Sequence, residues 1–435
     1  MAIAAPNTSI TTATAPGAGQ SYGAPLATVT TLFFMWGFLT CLNDILVPHL
    51  KSIFDLSYAQ VMLIQFAFFG AYFIFSIPSA KIIDWMGYQR SMVVGLLIMG
   101  LGAFLFVPAA SVPSYPLFLG ALIVLAAGIT CLQVAANPYV TVLGKPETAS
   151  SRLNLTQAFN SLGTFLAPFF GGLLILSAAP KTMTEIRAMA PDVLQAYRLH
   201  EAASVKTPYV GLGIALVVLA VAIGSFKLPK IEHAQHKVGE KVNDSIWRHP
   251  NLIFGAIAIF VYVGGEVAIG SFLVNYFGQP EIGGLTEKVA ASFVAFYWGG
   301  AMVGRFIGSA ILQKVSTRGL LGVCAVCAGA LVAISMLTSG HFAMYSIILV
   351  GFFNSIMFPS IFTLGVAELG PLTGDGSGVM IMAIVGGAII PVAQGAIADR
   401  IGIHHAFFLP VVCYLYILFF ALSGSRPNSQ RYAKA

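Results

Sequence analysis

The chain has 435 residues, of which 57% are hydrophobic and only 9% charged, and its mean hydropathy is +0.86, a balance outside the range of soluble globular domains. Its net charge of +6 comes from basic residues scattered singly through polar connections, without a basic run interleaved with aromatics, which argues against a nucleic-acid surface. Stretches of about 20 mostly apolar residues recur along the whole length, so the expected surroundings are a lipid bilayer and no sizeable soluble domain is left over.

Residues 1–25 are rich in Ala, Thr, Gly and Pro and lack the basic and apolar regions of a cleavable leader, so they read as a disordered tail. The first span is predicted at Leu26–Val47 and carries Asp44, next to Asn43. At ~1.5 Å per residue Asp44 falls roughly 20 Å into the span. A carboxylate at a helix centre costs about 2.5–3.5 kcal/mol and is retained where water, a cation or a partner compensates, which makes Asp44 a candidate coupling group. The second span, Tyr58–Ser79, is followed by a predicted loop, Ala80–Arg90, where Asp84 and Arg90 form a candidate gating latch.

The third span is expected at Arg90–Pro108 and the fourth at Leu117–Leu143. Gln133 and Asn137 lie i, i+4 on the fourth, and Gln157 and Asn160 lie i, i+3 on the fifth, Leu153–Leu176. Each pair presents one uncharged polar face. Side-chain amides both donate and accept, which suits the hydroxyl ring of a hexose; amides also glue helices together in membranes, and both readings apply to this face. A long connection, Ala178–Thr207, leads to the sixth span, Pro208–Phe226.

The interval 227–250 concentrates Lys227, Lys230, Lys237, Lys241 and Arg248 and reads as a cytoplasmic linker between an N-terminal six-helix bundle, 26–226, and a C-terminal one, 251–424. Both termini, including the tail 425–435, then face the cytoplasm. The remaining spans are predicted near Leu252–Phe277, Val289–Leu312, Leu320–Leu337, Met344–Leu369, Val379–Ala398 and Phe407–Leu422. Glu266 lies about 22 Å into the seventh at ~1.5 Å per residue and is the second candidate coupling acid. Because lipid-exposed backbone must satisfy its own hydrogen bonds, the fold class is all-α with about twelve transmembrane helices.

The halves read as repeats. Pro138–Gly144 in the fourth span and Pro359–Gly365 in the tenth share P-x-x-x-x-L-G, with Gln133 and Asn354 at matching upstream positions. Duplicated halves with a central site are the architecture of rocking transporters, and Asn354 joins the candidate ligand residues. Trp36, Tyr297 and Trp298 offer stacking faces, although packing is the better account of each.

Cys41, Cys131, Cys324, Cys327 and Cys413 all fall in apolar stretches and do not suggest a disulfide framework. No second ligand pair accompanies Cys324 and Cys327, and His404-His405 reads as a helix-end surface pair, so neither metal nor organic cofactor is expected. The chain has no H-E-x-x-H, no G-x-S-x-G and no loop array of acids, and it is not expected to be an enzyme.

The segments Leu42–His49 (LNDILVPH), Ala135–Gly144 (AANPYVTVLG) and Arg152–Ser161 (RLNLTQAFNS), supported by Tyr262–Gly264 and Pro359–Gly365, resemble the major facilitator superfamily and, within it, the fucose–galactose–glucose symporter family. The resemblance covers nearly the whole chain. It implies the major facilitator fold of two pseudo-symmetric bundles, a bacterial inner-membrane location, a monomer, and symport of a hexose, glucose or galactose before fucose, mannose or N-acetylglucosamine. The coupling ion would be H+ or Na+. It implies transport roles for Asp44 and for position 133, which holds an amide here where fucose permease has a glutamate, and a relocated acid at Glu266. It also implies sugar contacts for Gln157 and Asn160.

Overall fold

The computed structural model describes residues 22–54, 58–112, 114–174, 188–204, 206–229 and 244–427; within them, the side chains of 40, 42–54, 58–62, 168–174, 201, 202 and 204 lie outside the description. The described residues are almost entirely helical. In the first half, α1 is Gly23–Phe54, α2 Tyr58–Ser111, α3 Tyr115–Val142, α4 Ala149–Leu174, α5 Pro191–Ser204 and α6 Lys206–Ser225. In the second, α7 is Pro250–Phe277, α8 Glu287–Ile311, α9 Thr317–Leu337, α10 Gly340–Asn354, α11 Met357–Gly365, α12 Thr373–Met382, α13 Gly386–Ile401, α14 Ile403–Ala406 and α15 Phe408–Phe419.

At 54 residues, α2 would measure ~81 Å if straight, far more than the ~30 Å hydrocarbon core. It is therefore two spans, and the break is one residue, Gly87, with φ 81 and ψ 168. Only glycine adopts that conformation cheaply. The expected loop at Ala80–Arg90 is thus corrected: helix continues past Ser79 up to the Gly87 corner. Among the described residues nine stretches are long and apolar enough to cross a membrane, the first being this double span, Leu63–Ser111. With α1 and α4 the count reaches the expected number of about twelve. The connection before α6 holds an additional helix, α5, which the hydropathy pattern does not announce.

Exposed Phe73, Ile74, Val218, Val221 and Leu415 place large apolar side chains on the outer surface, as lipid-facing helices require. Inside, small residues let backbones meet. A Cβ at Gly37 would overlap the Asn160 carbonyl oxygen and one at Gly163 the Phe34 carbonyl oxygen, so α1 and α4 touch backbone to backbone at two levels.

The end at which the two halves join is fixed by contacts to the ends of α6 and α7. Gln89 at the α2 corner donates to the carbonyls of Ile223 and Phe226, and the Tyr139 hydroxyl donates to Pro229. Asn251 at the start of α7 donates to the carbonyls of Leu364, Gly365 and Ala367. These ends form the linker side. On this side α4 packs against α8 and α11 of the second half, while α12 packs against α2 and α3 of the first.

Candidate functional site

Proline sets the local structure of both repeated spans. Pro138 inside α3 has no N–H, so the Val134 carbonyl loses its i+4 partner. Ser377 of α12, in the other half, supplies the replacement by donating its hydroxyl at 2.8 Å. Pro359 acts similarly in the tenth span, which breaks at Ser355–Ile356 between α10 and α11. There the orphaned Ser355 carbonyl accepts from Arg305 Nε at 3.3 Å, and the Asn354 carbonyl accepts from the Tyr262 hydroxyl at 3.1 Å.

The repeat extends to a side-chain pair. Gln133 Nε2 donates to the Tyr72 hydroxyl at 2.7 Å, and Asn354 Nδ2 donates to the Tyr297 hydroxyl at 2.9 Å. Each half therefore ties a buried amide on its fourth span to a buried tyrosine on its second. The halves differ in what remains. Gln133 Oε1 has no hydrogen-bond partner, whereas Asn354 Oδ1 accepts from the Tyr414 hydroxyl at 2.8 Å. Asn354 thus has a partner on each of its amide atoms within the second bundle, where it organises three tyrosines around the broken helix.

The other first-half amides remain open to a ligand or water. Asn137 is fully buried with neither amide atom bonded, and the nearly buried Gln157 has an unpartnered Nε2. Buried amides without partners cost about 1–3 kcal/mol each, a debt that a polar ligand or bridging water removes. Asn160 is half-buried, and its Nδ2 donates at 2.9 Å to the Phe33 carbonyl, so part of its amide already joins α4 to α1. In the second half Gln394 of α13 is fully buried with both amide atoms unpartnered. The side chains of Asp44 and Asn43, on α1, lie outside the described residues.

Glu266 sits on α7 one turn beyond Tyr262, with a buried Oε1 that makes no hydrogen bond. Its electrostatic neighbours are Tyr262, Arg305, Tyr297 and Tyr414. Of the aromatic candidates, Trp36 and Tyr297 are buried, and Trp298 stands 42% exposed on the outer surface. His404 bonds the Ser335 carbonyl at 2.9 Å, and the five cysteines are free thiols.

The residues expected to gate lie where the halves meet. Lys81 bridges Asp84 at 3.3 Å and, across the interface, Asp375 at the start of α12 at 2.8 Å. Arg90 is exposed, and Lys81, from the preceding turn, is a basic partner of Asp84. On the pseudo-symmetric side, Asn154 Nδ2 donates to the Arg305 carbonyl at 2.7 Å, Ser151 to the Ser309 carbonyl at 2.6 Å, and Thr317 to Ser150 at 3.0 Å. The Arg305 guanidinium also donates to Ser161 of α4. Reading the sequence did not single out Lys81, Asp375, Ser377, Tyr72, Ser161 or Arg305 for these roles. The one available signal was Arg305 as an unpaired cation in an apolar run; the others are ordinary residues whose partners lie far away in the chain.

The family model for the Major Facilitator Superfamily matches residues 26–384. The chain belongs to this superfamily. Within the superfamily it is 53% identical over 407 residues to the glucose/galactose transporter of Brucella abortus biovar 1 (strain 9-941), covering 94% of this chain and 95% of that one. It is 38% identical over 412 residues to the L-fucose-proton symporter of Escherichia coli (strain K12), covering 93% and 94%. The crystal structure of the superfamily transporter FucP in the outward conformation superposes with a TM-score of 0.85 at 34% identity, covering 94% of this chain and 100% of that one. The expected major facilitator fold and fucose–galactose–glucose branch therefore stand, and this superfamily member is a transporter rather than an enzyme.

Proposed function

We propose that this chain carries a hexose, glucose or galactose, into a bacterial cell across the inner membrane by cation-coupled alternating access. The observation that carries the reading is the row of uncharged amides on α3 and α4, Gln133, Asn137 and Gln157, which are buried yet keep unpartnered polar atoms. Such groups match a neutral polyhydroxylated ligand, with Asn160 completing the face; Asn43 is kept as a further candidate contact from α1. The similarity to a glucose/galactose transporter over almost the entire length supports the same substrate class. Asn354, fully engaged by tyrosines, supports the site from behind.

Asp44 and Glu266 are the coupling acids in this reading. The coupling ion is a proton: the fucose relative is named a proton symporter, and the Arg305 guanidinium near Glu266 disfavours a resident sodium ion by like-charge repulsion. Contacts gathered on the linker side, together with the likeness to an outward-conformation structure, support an outward-facing state. The linker and both termini are then cytoplasmic. Labelled hexose uptake into proteoliposomes, driven separately by inward proton and sodium gradients, tests the cargo and the coupling ion. Accumulation of glucose or galactose under the proton gradient is expected, and no accumulation under either gradient would refute the proposal.

A further inference from the structure

Arg305 occupies an unusual junction. Its Nε serves the Ser355 carbonyl that Pro359 leaves free, its guanidinium donates to Ser161 in the opposite half, and its own carbonyl is held by Asn154, also in the opposite half. Gly308, one turn on, leaves α8 close against Asn154, since a Cβ there would stand 3.0 Å from Nδ2. One side chain thus touches the break in the tenth span and the docking surface of the other bundle. Near it lies Glu266, whose buried Oε1 has no hydrogen-bond partner and which makes no salt bridge to Arg305 among the described residues.

The Tyr262 hydroxyl is a hydrogen-bond neighbour of the Glu266 carboxyl, yet an ionised carboxylate without a cation in a buried site is expensive, and the cation whose charge acts on it is Arg305. The guanidinium cannot serve both partners fully.

We propose that Arg305 is a positioning residue that ties closure of the linker side to the charge on Glu266. With Glu266 neutral, Arg305 clamps Ser161 and Ser355 and the two halves stay docked, as observed. With Glu266 ionised, Arg305 turns to the carboxylate, releases Ser161, and α8 parts from α4. The inference rests on the coupling role given above to Glu266 and adds how its proton would reach the gate. Among the described residues, the other titratable groups facing Glu266 are Tyr262 on its own helix, Tyr297 on α8 and Tyr414 on α15, phenols whose ordinary titration lies well above pH 8.

The test uses the full chain in proteoliposomes, with its five native cysteines replaced by serine or alanine and a reporter pair, Ser150→Cys and Thr317→Cys, at the linker-side contact. Disulfide yield under a mild oxidant, read between pH 5 and 8, reports docking of the halves. Because the thiolate is the reacting species, the yield of any such pair climbs with pH, so the parent is read against Glu266→Gln at the same pH. The ratio of parent to Glu266→Gln should fall as pH rises, while the contributions of the thiols and of Asp84 and Asp375, present in both proteins, cancel. Arg305→Gln should lower the yield at every pH. Ser161→Ala removes this acceptor together with the hydroxyl's own bond to the Gln157 carbonyl one turn back, and should shift the closed-to-open ratio by roughly tenfold, as losing a hydrogen bond to a charged group implies. A Glu266→Gln profile identical to the parent, or parent yields in both Arg305→Gln and Ser161→Ala, overturns the proposal. Hexose uptake on the same preparations separates the two readings. Transport with an Arg305-insensitive yield sinks the clamp alone, and a responsive yield in protein that carries no hexose sinks the sugar assignment alone.

Discussion

Ser377 of one half caps the Val134 carbonyl of the other at 2.8 Å, filling a vacancy that Pro138 creates. A helix defect is thereby turned into a contact between bundles, and the bond exists only while the linker side is closed.

Ser377→Ala should leave the Val134 carbonyl buried and unpaired, at a cost of about 1–3 kcal/mol charged to the closed state alone. Alkylation of a cysteine introduced at the buried Ser150 position should then accelerate several-fold, because the linker side opens more often. An unaltered rate would mean that the carbonyl finds another donor.

Lys81→Ala should act more weakly. The lysine side chain is 60% exposed, and exposed ion pairs contribute only about 0–1 kcal/mol and are screened by salt. The same alkylation assay should show a smaller acceleration than Ser377→Ala, shrinking further as ionic strength rises. An effect as large as that of Ser377→Ala, or insensitive to salt, would make this latch the dominant closure.

Gln157→Ala is expected to weaken hexose binding by at least ~1 kcal/mol, roughly fivefold in Kd, without changing the pH dependence of uptake. Calorimetry with unchanged affinity would reassign the residue to helix packing. Asp44→Asn should instead abolish accumulation while leaving downhill exchange of labelled sugar, which distinguishes coupling from binding.

Gly163→Ala should disrupt folding, since its methyl group would overlap the Phe34 carbonyl oxygen and neither backbone can yield without separating α1 from α4. Gly211→Ala, with nothing within 4 Å of the added carbon, serves as the matched control and should express normally. Equal yields of folded protein from the two would contradict the close approach of these helices.

Hydropathy and punctuation made the spans and the duplicated halves legible, because lipid imposes long apolar runs and proline stands at the matching positions Pro138 and Pro359. The sequence suggests a loop at the Gly87 corner because a glycine beside charged residues looks alike whether one residue turns or several. The amide rows were visible through helical spacing, yet spacing could not say that Asn354 is already saturated by Tyr297 and Tyr414 while Asn137 is not. Partners such as Lys81 and Asp375, separated by most of the chain, follow only from how the bundles dock. Local pattern carries no signal for them.

The backbone contact of α1 with α4 at Gly37 and Gly163 has a kinematic consequence. Backbones pressed together within one turn resist sliding and rolling past one another, which favours movement of α1 and α4 as one stiff plank. Under the proposed function, a sugar held by the α4 amides would keep its grip on that plank from one side of the membrane to the other, and release would come from the facing bundle withdrawing.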